Sequence, residues 1–370
     1  MPTKYEMQIK YLSNAANRFL CNMIKAIRKS GNEVRVFSYI GFPLEEEIKG
    51  RLMDEKNAEM TFVFKTRFFV KGFFDCLAGI RKEIRQCEMI IIYNADYIWF
   101  AVPLMAKILK KQSILILADY SDKHSYTNIF RKIYASLQLR FIRSFGKVVG
   151  LSEDTRRFLR KSQYFLCVEG GIDSDVYQYF EKDSIKNNDK GEVRFMYSGL
   201  LEPVTGIDML LEAFINLDSK NAKLYVSGKG RLKDLVIDCA KKDSRIIYLG
   251  CLEYAEYLQN LEASDVLINP RNMNLPENKN NFPSKIMEYL ATGKYIISTR
   301  FPGWRKFEDN IFFCDSNIKA IECAISGYMN FSEVDKEVIY QSNRELAKKY
   351  LWDRQIDRII NAESWLWNGR

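Results

Sequence analysis

Six residues in the C-terminal half carry the chemistry from which a function can be read: Pro283-Ser284-Lys285-Ile286-Met287-Glu288. A proline suits the first position of a helix, where its missing N–H costs nothing. That places Phe282 at the N-cap, and phenylalanine has no side-chain acceptor for the first-turn amides. The N–H groups of Ser284, Lys285 and Ile286 would then point outward unpaired beside the Lys285 ammonium, an arrangement that attracts phosphate. Glu288 follows Ser284 by one turn on the same helix face. A carboxylate there is badly placed for phosphate and well placed to accept hydrogen bonds from ribose hydroxyls. Phosphate at the tip and ribose on the first turn together describe a nucleoside diphosphate. The same residues would also suit a capped surface helix with a solvated lysine and glutamate.

The flanking stretches must bring that helix start to a useful place. Asp265-Val266-Leu267-Ile268-Asn269-Pro270 reads as a short buried strand stopped by proline. Arg271–Asn281 is a polar, asparagine-rich loop without glycine, Gly293 ends the helix, and Tyr295-Ile296-Ile297-Ser298-Thr299 is the next strand. Strand, crossover helix and parallel strand put the helix start at the carboxyl edge of a sheet, where open α/β folds bind ligands.

FPSKIMEYLATGKYIIST, with LINPR before it and Phe301-Pro302-Gly303 after it, resembles the donor-site segment of family 4 retaining glycosyltransferases. Within that family it is most similar to the branch that assembles bacterial surface polysaccharides, capsule and lipopolysaccharide O-antigen. The similarity is dense over residues 195–305 and returns weakly at Asn14-Ala15-Ala16-Asn17. It implies an α/β chain of GT-B fold, two Rossmann-like domains whose parallel sheets face each other across a cleft. Residues 1–180 would form an acceptor- and membrane-facing domain, 191–345 the donor domain, and 346–370 a helix crossing back to the first. The resemblance further implies transfer of a hexose from a nucleotide diphosphate sugar, UDP-linked, with retained anomeric configuration. No metal or other cofactor is implied. The acceptor would be a glycan or polyprenyl-linked glycan, and the protein cytoplasmic, peripheral on the inner face of the cytoplasmic membrane.

On the same resemblance Lys285 and Arg271 act on the leaving diphosphate, while Gly199, Lys229, Gly230, Asn280, Asn281, Phe282, Pro283, Ser284, Ile286 and Glu288 line the donor site. Asp119 and His124 follow the buried-type strand Ile114–Ala118 and are catalytic candidates on the acceptor side. A lone histidine is equally at home as a structural residue. Asn14 and Asn17 would meet acceptor or phosphate through their amides, or else simply begin a helix. Three positions depart from the family pattern. Leu200 stands where an arginine usually follows the glycine, Thr205 where a lysine precedes the next one, and Asn280 where a glutamate lies eight residues before Glu288. Lys229, Arg271 and Lys285 are the replacement cations. These departures keep two alternatives open: a non-catalytic nucleotide-sugar-binding subunit, and another GT-B enzyme such as an inverting transferase or an epimerase.

The chain's 370 residues have room for two cores, and 47% hydrophobic content is that of a globular protein. Eight scattered cysteines form no C-x-x-C pair and one histidine cannot complete a His-rich metal cluster, so reduced thiols are expected. Lys4, Glu6, Lys10 and Arg18 interrupt the first twenty residues, which argues against a signal peptide. Met89–Leu109 is apolar, but Asn94, Asp96 and Pro103 break it into a strand and a helix rather than a membrane span.

Charge divides by halves. Residues 1–165 hold 29 Lys+Arg against 16 Asp+Glu, a net +13, and the remainder is net −4. Within the basic half, Phe64–Phe74 and Tyr126–Phe145 interleave cations with aromatics, the pattern of an anchor on an anionic membrane surface. The alternative is that the aromatics are core and the cations its solvated face. No helix-turn-helix, zinc finger or RNA-binding motif appears, so nucleic acid is not an expected partner.

Overall fold

The computed structural model describes residues 14–40, 60–64, 69–96, 99–118, 120, 127–181, 191–275, 278, 282–361 and 365–367. Contacts divide the chain into two compact units, Met1–Gly171 with Trp352–Arg370, and Ile172–Leu351.

The first unit begins with α1 (Asn14–Lys29) and a parallel pair, β1 (Val36–Ile40) and β2 (Met60–Phe64). After α2 (Phe69–Gln86) the chain alternates strictly: β3 (Met89–Tyr93), α3 (Val102–Ile108), β4 (Gln112–Leu117), α4 (Ile129–Ile142), β5 (Lys147–Gly150), β6 (Tyr164–Cys167). β3 to β6 pair in parallel in chain order. Their runs of Ile, Leu and Val suit strands covered on both faces. Ser152 caps a 3-10 turn, Glu153–Phe158, its hydroxyl accepting from Asp154 N–H.

The second unit opens with α5 (Ser174–Glu181) and continues β7 (Val193–Ser198), α6 (Ile207–Ile215), β8 (Ala222–Ser227), α7 (Lys233–Lys242), β9 (Ile246–Gly250), α8 (Tyr254–Glu262), β10 (Val266–Asn269). Then come α9 (Lys285–Thr292), β11 (Tyr295–Thr299), β12 (Phe312–Cys314), α10 (Ile318–Tyr328) and α11 (Glu333–Lys349). The six strands are parallel in the order β12-β11-β10-β7-β8-β9. Their core is dry and aromatic-rich, with Phe195, Phe214, Leu224, Val266 and Ile321 fully enclosed. Helix α5 belongs here rather than at the end of the first unit: it packs on α9, and Arg344 of α11 stacks its guanidinium 3.6 Å from the Tyr177 ring.

The chain then returns to the first unit as α12 (Trp352–Ile360) and β13 (Leu366–Trp367), which pairs antiparallel with β6. The helix expected over 346–370 is thus a shorter helix and an edge strand. Trp352 and Ile356 pack with Met23 of α1 against Ile114, Ile116 and Val149 on one face of the first sheet. Residues of α2, α3 and α4 cover the other face through Leu115, Leu117 and Val148. The segment Met89–Leu109 is strand and then helix, as its interruptions require. Among the described residues no helix is long and apolar enough to cross a membrane.

Candidate functional site

In the second sheet the chain moves outward from β7 to β8 and β9 on one side, and fills β10, β11 and β12 on the other. The point between β7 and β10 is therefore a topological switch point, where carboxyl-end loops separate and leave room for a ligand. The β7–α6 loop (199–206), the β8–α7 loop (228–232) and the start of α9 all lie at that edge.

Lys285 is the first residue of α9, and its ammonium is enclosed against the end of β7. It donates to the Ser198 carbonyl and lies 5.0 Å from the centre of the Tyr197 ring. Gly199 is what permits this, because a Cβ there would collide with the lysine nitrogen. A Cβ on Gly228 would in turn strike the Gly199 carbonyl, so the two loops close on each other through their glycines. Burial pushes the Lys285 ammonium down to about 7; Glu288 works against that shift and Arg271 adds to it.

Glu288 lies one turn along α9, half-buried, and is not left to solvent. Tyr257 of α8 donates its hydroxyl to Glu288 Oε2 at 2.7 Å. Burial and the neighbouring carboxylate both raise the Tyr257 pKa, so its proton stays in place as the donor. One carboxylate oxygen is thereby held and the ring-bearing helix α8 is fixed beside the first turn of α9. Tyr254 stacks on Tyr257 with centroids 6.0 Å apart.

The start of α9 differs from expectation in detail. Ser284, not Phe282, is the N-cap, and its exposed side chain makes no capping hydrogen bond. Pro283 precedes the cap. Phe282 is drawn inward by aromatic packing, edge-on to Phe301 at 5.1 Å and tilted against Phe307 at 5.7 Å. The turn formed by Pro283 also uses one amide that was expected to be open: Ile286 N–H donates to the Pro283 carbonyl at 3.0 Å, and the next, Met287 N–H, donates to the Ser284 carbonyl at 3.3 Å. The uncapped start therefore presents Ser284 and Lys285, while the Ile286 side chain is fully buried.

Of the other donor-side candidates, Lys229 is exposed at the β8 edge, and Leu201 donates its N–H to the Lys229 carbonyl at 2.9 Å. Gly230 packs on the Leu201 backbone. Arg271 is half-buried; its carbonyl accepts from Thr299 at 2.7 Å and its charge is felt by both Lys285 and Tyr197. Asn280 and Asn281 lie outside the described residues, as do Asp119 and His124. Asn14 is the first residue of α1 and Asn17 is buried in the first unit.

Several site residues carried no signal in the sequence. Neither Tyr257 nor Tyr197 was singled out there. Asn278 is buried in the polar loop, and its amide donates to Val204 and Asn272 carbonyls, each at 2.7 Å. Thr205, at the usual lysine position, donates to the Leu200 and Glu202 carbonyls at 2.8 and 2.7 Å. Its hydroxyl thus closes the loop on itself. Arg231 adds a cation that spacing did not flag, paired with Glu202 at 2.6 Å.

Residues 192–330 match the family of glycosyl transferases group 1. The matched stretch is less than half of the chain, and it contains Lys285, Glu288, Tyr257, Arg271 and both glycine loops. The whole chain is similar in structure to Anabaena Alr3699/HepE in complex with UDP, with TM-score 0.69 and 13% identity over 94% of this chain and 95% of that one. It is similar to a glycosyltransferase from Rickettsia africae, with TM-score 0.67 and 16% identity over 95% and 94%. The lipopolysaccharide outer core galactosyltransferase WaaB gives TM-score 0.63 and 11% identity over 95% and 96%. No curated protein sequence matches. At these identities the structural likenesses establish the fold, which is GT-B: two Rossmann-like units, each built on a parallel sheet.

Proposed function

We propose that the group 1 domain binds a nucleotide diphosphate sugar, UDP-linked, and that the protein transfers its hexose with retained configuration to a glycan or lipid-linked acceptor of a surface polysaccharide. The observation that carries this reading is the pairing on α9 of a lysine ammonium enclosed at the Ser198–Gly199 turn with a carboxylate held by Tyr257. The diphosphate takes the place of the Ser198 carbonyl as partner of Lys285, with Arg271 and Lys229 alongside. The free oxygen of Glu288 accepts from the ribose. Uridine is favoured by the likeness to HepE, whose structure holds UDP. A surface-polysaccharide acceptor is favoured by the likeness to WaaB and by the +13 charge of the first 165 residues, which suits a protein working peripherally at an anionic inner membrane face.

As the bond from sugar to phosphate breaks, positive charge grows on the sugar ring and negative charge on the leaving diphosphate. Cations and amides already in place stabilise that charge most in the transition state, which lowers the barrier. Fixed cations in those positions fulfil the role that a divalent ion plays elsewhere. Among the described residues no pair of carboxylates brackets the start of α9 for double displacement. Retention then proceeds by attack on the face the phosphate leaves, with the leaving phosphate accepting the acceptor's proton.

The experiment is turnover of UDP-sugars against lipid-linked acceptors, reading the anomeric configuration of the product. A retained product supports the proposal, and an inverted one assigns the chain to the inverting GT-B enzymes. The second reading, a binding subunit without turnover, draws on Leu200 and Thr205. UDP binding without transfer to any acceptor offered would decide for it.

A further inference from the structure

Helix α4 is apolar on two faces, and only one of them is used. Asn128 caps its start by accepting from Phe130 and Arg131 N–H. Ala135, Phe141 and Ile142 face inward and are buried against the sheet with Phe145. Phe130, Ile133 and Leu137 follow the i, i+3, i+7 spacing of a second apolar stripe. That stripe is turned to water: Phe130 is 77% exposed, Ile133 52%, Leu137 43%, and Ile129 beside them 61%. An ordinary outer helix would carry charge there. The neighbouring crossover, α3, repeats the feature with Leu104 at 62% and Ile108 at 69%. Both helices connect adjacent parallel strands and pack into one core, so they lie on the same side of the sheet.

The charge carried by α3 and α4 themselves is of one sign. Residues 127–146 hold Arg131, Lys132, Arg140 and Arg143 and no acidic residue, and Lys107, Lys110 and Lys111 accompany α3. Large apolar side chains standing among the cations of α3 and α4 match an anionic bilayer, with rings and aliphatic groups entering the acyl boundary and cations meeting phosphates.

We infer that the outward stripe of α4, with Leu104 and Ile108 of α3, is an interfacial anchor that seats this protein on an anionic lipid bilayer. The other segment read as an anchor, Phe64–Phe74, contributes Phe74, 61% exposed; residues 65–68 and the side chains of 69–73 lie outside the described residues. The anchor deepens the peripheral-membrane part of the proposed function but does not depend on the transfer reaction, because it involves no residue of the group 1 domain.

The test is co-sedimentation of the full chain with vesicles of phosphatidylcholine alone and of phosphatidylcholine with phosphatidylglycerol, without donor or acceptor. Wild type should pellet with the anionic vesicles, remain in solution with the neutral ones, and be released as salt rises. Phe130→Ser with Leu137→Ser should weaken anionic-vesicle binding at least tenfold, and Arg131→Glu with Arg140→Glu should do the same. All four side chains are exposed or at the outer surface, so unfolding temperature and UDP affinity should stay at wild-type values, which separates this failure from failure of the donor site. Phe130→Trp should show a blue-shifted emission on anionic vesicles. Wild type that stays in solution, or a Ser/Ser variant that binds as wild type does, overturns the anchor. A concentration-dependent dimer abolished by the Ser/Ser change, with no vesicle binding, reassigns the stripe to a second copy of this chain.

Discussion

Lys285 is the residue on which the proposed donor site turns, and its protonation gives that site a pH signature. Free, it titrates near 7 because its ammonium is enclosed. Diphosphate oxygens beside it favour the charged form, so its pKa rises in the complex and binding takes up a proton above pH 7. UDP affinity should therefore fall as pH rises from 7 to 9, by up to about tenfold per unit. Lys285→Arg keeps its charge throughout and should flatten the profile, as read by calorimetric titration at each pH. Tyr257 acts through Glu288. Tyr257→Phe removes a hydrogen bond to a carboxylate, worth about 1.5–3 kcal/mol at most when buried. UDP should bind the variant more weakly, by at most roughly tenfold to a hundredfold on that basis. Dideoxyribose UDP, which has no hydroxyls for Glu288, should bind wild type and variant alike.

At the scale of elements, the start of α9 is set by aromatic packing more than by capping. Phe307 is fully buried, touches Phe282 and Phe301, and stacks on Tyr350 at 5.5 Å. Phe307→Ala should cost about 3–5 kcal/mol of stability in denaturant unfolding, through the lost contacts and the cavity. It should also weaken UDP binding, because Phe282 would lose what fixes the approach to Ser284. The strands and the crossover helix of this region were legible in the sequence because Val266–Asn269 and Tyr295–Thr299 are short, apolar and bounded by proline and glycine. The placement of Glu288 one turn after Ser284 was legible from spacing alone. The exact cap was not, since Pro283 fits either side of a cap and only Phe301 and Phe307, distant in sequence, draw Phe282 inward. Tyr257 was invisible for the same reason: its partner lies 31 residues away.

For the whole molecule, the two-unit division follows the composition, with the basic half in the first unit and the group 1 domain in the second. The direction in which α4 presents its second stripe was not legible, because Phe130, Phe141 and Phe145 look alike until the sheet is in place. Turnover should survive EDTA unchanged, since Lys285, Arg271 and Lys229 supply the positive charge; loss of activity restored by Mg²⁺ would show that those cations do not suffice.

The most direct test of the donor site is calorimetric titration of the full chain with UDP, UMP and 2′,3′-dideoxy-UDP, using wild type, Lys285→Ala and Glu288→Ala. Lys285→Ala should erase the preference for UDP over UMP, and Glu288→Ala the preference for the ribose-bearing ligand, each with the other preference intact. Two variants that bind UDP with wild-type affinity and selectivity would contradict the assignment of α9 as the nucleotide-binding helix.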